Sequence, residues 1–220
     1  MLILAMLWIC PAAFAKDYIV EMVFFANAQD YTESSLRTQP PIAHPDLQGA
    51  ILLDDSAVFH DFLPLPKDAL RLHAQADLLE TSAKYRILKH IAWLQPGFDK
   101  ENAIPVHITA GIDYSSKFGK HSPATDASSS QSEPKMDPVH ELDGTVKIVL
   151  GRYLHVFTDL VYRRPFKTDP ENGTDTAGQD FTLAEFSLKT HRKMRSQELH
   201  YIDHPWFGIL VEIFPVEYEN

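Results

Sequence analysis

His200, Asp203 and His204 lie within five residues of one another, and Pro205 follows. Two imidazoles and a carboxylate suit zinc. Histidines four apart share a face only on a helix, and a proline directly after His204 disfavours one there. No Glu stands between them to serve as the base of a zinc protease. The competing reading has these histidines hydrogen-bonding a tight turn. A second set is cationic. Arg163 and Arg164 close one β-like segment, and Arg192 and Arg195 close another. Paired as a hairpin, the two segments bring four guanidinium groups to one end of a sheet, where planar forks hold carboxylates. The alternative is a set of solvated charges guarding a sheet edge. His200, Tyr201 and His204 join the four arginines as the candidate ligand-binding residues. A third set is aromatic: Tyr153, Phe157, Tyr162, Tyr201, Trp93 and Trp206. These are flat surfaces for sugar rings, or core residues at strand spacing.

Covalent catalysis finds little to work with. There is no G-x-S-x-G elbow and no Gly-rich phosphate loop. Cys10 is the one cysteine among 220 residues, and it falls in the N-terminal apolar run. No catalytic motif stands out, and no cofactor or metal is expected. The balance of 30 acidic against 20 basic residues, net −10, lacks the cationic excess that nucleic acid demands. At 45% hydrophobic and 23% charged, the chain has the composition of a folded protein.

Leu2 to Ile9 is apolar and Ala13-Phe14-Ala15 offers small residues two apart. The run is far below the ~20 residues of a spanning helix, so residues 1–15 read as a cleavable secretory signal. Trp8 and Ile9 before Cys10 argue against lipidation. The expected mature chain, 16–220, has no cysteine, crosses no membrane and must be held by its core alone.

Tyr18–Phe25, Tyr85–Leu94, Pro105–Gly111, Phe181–Met194 and Phe207–Phe214 are β-branched or aromatic runs and read as strands. Thr145 to Arg163 alternates throughout, with Val146, Ile148, Leu150, Leu154, Val156, Leu160 and Tyr162 on one face. It reads as one long strand bent at Gly151. Residues 68 to 84 place Leu70, Ala74 and Leu78 at helical spacing. Residues 26–66 read as irregular, and the Ser- and Pro-rich stretch 115–141 as a mobile insertion. The expected fold is a single α+β domain: a twisted, mostly antiparallel sheet with one main helix packed on it.

Three segments carry a resemblance. They are Tyr85 to Pro96 with His90, Trp93 and Gln95; Gly151 to Val156 with Leu160, Tyr162 and Arg163; and the block Arg195-Ser196-x-Glu198-Leu199-His200-Tyr201-x-Asp203-His204-Pro205 ahead of an apolar strand. Together they resemble the CsiV family of proteobacterial periplasmic proteins over most of residues 18–215. The resemblance implies a periplasmic, non-enzymatic protein that binds peptidoglycan. It further implies support of a class A penicillin-binding protein acting with its outer-membrane lipoprotein activator. It transfers no binding residue. A protein–protein adaptor without glycan contact is the alternative, and a hydrolase using His200, Asp203 and His204 is a third reading.

Overall fold

The computed structural model describes residues 16–28, 45–118, 138–167 and 181–217. Residues 1–15, the expected leader with Cys10, therefore lie outside the described residues, as do 29–44, 119–137, 168–180 and 218–220.

Among the described residues nine strands build two antiparallel sheets. They are β1 (Asp17–Asn27), β2 (Leu63–Pro64), β3 (Tyr85–Pro96), β4 (Val106–Asp113), β5 (His140–Leu150), β6 (Leu154–Lys167), β7 (Phe181–Met194), β8 (His200–Asp203) and β9 (Phe207–Pro215). The first sheet runs β2-β3-β1-β9-β8 and the second β4-β5-β6-β7. Their facing sides share one core. Val20, Met22, Phe24 and Trp93 meet Ile148, Val156, Leu160 and Phe186 across it. Rings lock the layers: Phe186 stacks on Trp206 at 4.4 Å and Tyr162 on Phe207 at 5.5 Å. This is sheet-on-sheet packing, and it corrects the expected α+β layout of one sheet under one main helix. The helix α1 (His73–Thr81) is only nine residues long and α2 (Ser115–Phe118) four. The helical spacing over 68–84 thus marks a short patch, preceded by a 3₁₀ turn at Lys67–Ala69.

That patch explains why β1 reads as an unbroken apolar run. One face of β1 enters the sandwich core, while Val23 on the other packs under Leu72 and Ala76 of the α1 region. Alternation disappears when both faces are buried. The bent strand expected over 145–163 is likewise corrected: it is the hairpin of β5 and β6, closed where Gly151 N–H donates to the Tyr153 carbonyl. Leu150 and Leu154 are paired across the turn and both face the core. The turn keeps the parity, so the hydrophobic pattern passes through it without a break. His140 and Glu141, expected in the insertion, open β5.

Three quoted motif residues have structural work. Trp93 and Gln95 sit two apart on one strand face, and the buried indole N–H donates to Gln95 Oε1 at 2.8 Å. His90 Nε2 meets Glu21 Oε1 at 2.7 Å. Glu21 faces Glu212 across the β1–β9 ladder. Burial first, and then the Glu21 charge, push the Glu212 carboxyl up against the opposing pull of Arg71. A carboxyl raised in the folded state loses stability as pH rises through its folded value. Glu212→Gln should therefore gain ~0.5 kcal/mol at pH 7, as expected for like charges directly opposed. Urea melts at pH 7 and pH 4 check this, because the gain must fade at the acid end.

Candidate functional site

The antiparallel β6–β7 register decides the arginine question. Arg163 and Arg164 lie opposite Glu185 and Ala184, whereas Arg192 lies opposite Val156. Seven residues of strand separate the two positions, about 23 Å. The hairpin sets the arginine pairs at opposite ends, so the four guanidinium groups do not converge. Arg163 is buried and clasped. Its Nε donates to Glu185 Oε1 at 2.7 Å and its Nη1 to the His140 carbonyl at 3.1 Å. Arg164 lies over the Phe166 and Trp206 rings. Arg192 is exposed, and Arg195 reaches Glu198 at 3.4 Å.

The histidine set does not converge either. His200 shares the core-facing parity of Ile202 on β8, with Nε2 3.6 Å from Glu198 Oε2. Tyr201, on the other face, stacks on Phe25 at 6.0 Å and donates its hydroxyl to the Asp203 carboxylate. His204 holds the β8–β9 turn, its Nδ1 accepting the Trp206 N–H at 3.2 Å. Among the described residues no group of three His, Cys, Asp or Glu could hold a metal ion. Burial holds His204 below the ordinary histidine range, against the pull of Asp203. A histidine lowered in the folded state contributes stability that is lost as pH falls through the unfolded value, near 6.5. Thermal melts should therefore show a decline from pH 7.5 to 5.5, and His204→Gln should flatten it.

A different constellation stands on the outer face of the four-stranded sheet. Pairing puts Lys147, Phe157 and His191 in one cross-strand row. The next row is Thr145, Asp159 and Lys189, and the row on the other side is Val149, His155 and Lys193. Phe157 and His191 stack at 4.4 Å and 12°. His155 Nδ1 and His191 Nε2 lie within hydrogen-bond distance, at 2.7 Å. Cations border the rings: Lys193 Nζ stands 3.5 Å over Tyr153, Arg152 5.8 Å from it, and Lys147 5.8 Å from Phe157. Among the described residues no carboxylate pairs with Lys147, Arg152, Arg192 or Lys193, whereas Lys189 is taken by Asp159 at 2.7 Å. Partial burial, then the neighbouring His191 and Lys193, lower the His155 pKa.

Beside the rings lies a cleft of about 510 Å3. Phe157 and His191 form an apolar wall, and Asp46, Gln48, Thr145 and Lys189 supply polar groups. That volume suits a small ligand, and the lining suits one with hydroxyl and amide groups on an apolar ring face. Sequence reasoning placed Tyr153 and Phe157 among the aromatic candidates and Arg192 and Arg195 among the cations. It missed Lys147, Arg152, His155, Lys189, His191 and Lys193. Alternation of 155, 157, 189, 191 and 193 against the apolar parity was the available signal. The other candidate rings, Trp93, Tyr162 and Trp206, are in the core.

No curated protein matches the sequence significantly. Among solved structures the chain is similar to the InvG secretin domain β-barrel of the Salmonella SPI-1 injectisome NC-base. Identity is 5%, the TM-score 0.33, and the match covers 93% of this chain and 63% of that one. A likeness at that score fixes neither fold nor function. The family comparison is different in extent: the model described as peptidoglycan-binding protein, CsiV, matches residues 1–216. The match takes in the β3 segment with Trp93 and Gln95 and the β8–β9 block closed by His204, and by it the chain belongs to the CsiV family of peptidoglycan-binding proteins.

Proposed function

We propose that the protein is an exported, periplasmic factor that grips peptidoglycan without cutting it, in support of cell-wall synthesis. The observation that carries the location of the site is the ring-and-cation surface beside the 510 Å3 cleft. Muropeptide stems end in carboxylates, which ammonium and guanidinium groups receive. Glycan strands offer hydroxyl and acetamido groups above apolar ring faces, which the lining of the cleft can accept. The chain carries net charge −10, so attraction to an acidic polymer must come from this local patch. In this reading the factor serves a class A penicillin-binding protein together with its outer-membrane lipoprotein activator.

A second reading, an adaptor between envelope proteins, is favoured by one feature. Phe59 is 85% exposed on a 3₁₀ turn, Asp55–His60. The turn is capped by Asp54 and pinned by buried Ala57 and Phe62. A rigidly displayed aromatic is the usual form of a protein-binding anchor. A sacculus pull-down with purified protein separates the two. Retention by the protein alone supports direct binding, and retention only with added partners supports the adaptor.

A further inference from the structure

A second cleft, of about 350 Å3, opens between β3 and β4, where the two sheets part. Leu52, Leu53, Leu65, Leu70 and Ile91 give it an apolar wall, and Lys89 lines it beside polar groups. The Lys89 ammonium has three protons and donates one to the Thr109 carbonyl at 2.8 Å. No carboxylate pairs with it among the described residues, and burial lowers its pKa with no compensating anion. The other ionisable groups of the cleft are mostly engaged elsewhere. His90 is held by Glu21, His107 by Asp143 at 2.7 Å, and Asp54 by Ser56; Lys67 is exposed. A half-dry cation beside the apolar wall of a cleft lacks a counter-ion that would offset its lost hydration.

We propose that this cleft binds a monocarboxylate on a short aliphatic body, with the carboxylate on Lys89 and the body against Leu52, Leu65 and Ile91. Two sources carry that chemistry in an envelope: a fatty acid and the C-terminus of an alanine-ended peptide. Calorimetric titration of the whole protein with sodium octanoate, 1-octanol and N-acetyl-D-alanyl-D-alanine tests it. At least one carboxylate should bind, and octanol should bind at least tenfold more weakly than octanoate if the lipid source is right. Octanoate alone assigns the lipid source, and the dipeptide alone assigns the peptide terminus. Lys89→Met should abolish carboxylate binding while melting at or above the parent temperature, since it removes a desolvated charge. Should that variant fail to fold, Lys89→Gln carries the same reading. Binding of neither carboxylate, equal binding of octanoate and octanol, or undiminished binding by the neutral variants overturns the proposal.

Discussion

Glu21→Ala should destabilise the protein by about 3–5 kcal/mol, the range for stripping one partner from a buried, hydrogen-bonded charge. Glu21 is fully buried in the middle of β1. Its carboxylate accepts the Arg71 N–H at 2.9 Å and the Leu72 N–H at 2.8 Å, just ahead of α1, and it holds His90 at 2.7 Å. The first N–H groups of a helix have no partner within it, and here no side chain of the helix caps them. One carboxylate from the central strand thus fixes both the start of α1 and the flanking strand β3. Alanine leaves these donors buried without an acceptor, and each such loss costs about 1–3 kcal/mol. Glu21→Gln keeps one acceptor oxygen and should cost roughly half as much. Urea melts measure both. A Glu21→Ala loss under 1 kcal/mol would show that water replaces the carboxylate there. The contrast with Glu212→Gln is diagnostic, because the two residues oppose each other on the ladder and removal should act with opposite sign.

The strands were legible wherever hydrophobic pattern and local order coincide. β1, β3, β4, β7 and β9 lie within a few residues of the expected runs. What escaped was arrangement. A three-residue turn that preserves parity hid the β5–β6 hairpin, because Leu150 and Leu154 continue one apolar series. β8 is four residues long, too short to show a period. The apolar–polar alternation of β5 to β7 says that one face is covered, but not whether a helix or a second sheet covers it. Nine residues of α1 cover only a patch near Val23, and the five-stranded sheet does the rest.

The candidate site was legible in kind but not in place. Arg and His clusters along the chain drew notice because they are contiguous, yet an antiparallel hairpin separates its far ends. Arg163 and Arg192 occupy opposite ends of one strand pair for that reason. Residues that do meet are distant in sequence: Lys147, Phe157 and His191 come from three strands and join only through register. Within the contiguous block at 195–205, His204 accepts a turn N–H and Arg195 pairs with Glu198. Two of the segments that carry the family resemblance lie in the five-stranded sheet, whereas the third, Gly151 to Val156, supplies Arg152, Tyr153 and His155 to the surface proposed for ligand.

Reversing two of those cations should have the largest effect on binding. Lys147→Glu with Lys193→Glu should lower retention on sacculi at least tenfold, about 1.4 kcal/mol or more. Both ammonium groups lie over rings of the patch, Lys147 over Phe157 and Lys193 over Tyr153, and neither is neutralised by a carboxylate among the described residues. Reversal replaces attraction with repulsion at the contact, which costs more than neutralisation. The control is Lys84→Glu with Lys117→Glu, two exposed positions that change net charge equally. Retention that falls in both variants alike would implicate total charge, whereas loss in the first alone implicates the patch. Exposed cations are screened within ~10 Å at 0.1 M salt, so parental retention should weaken as salt rises. Sacculi stripped of their stem peptides refine the assignment. If stem carboxylates seat on the lysines, stripping should erase most of the difference between parent and reversed variant. If the glycan seats in the cleft, Phe157→Ala should reduce retention on stripped and intact material equally, because the apolar wall is then the lost contact. Undiminished retention by the Lys147→Glu, Lys193→Glu variant would remove the outer face of this sheet from peptidoglycan binding altogether.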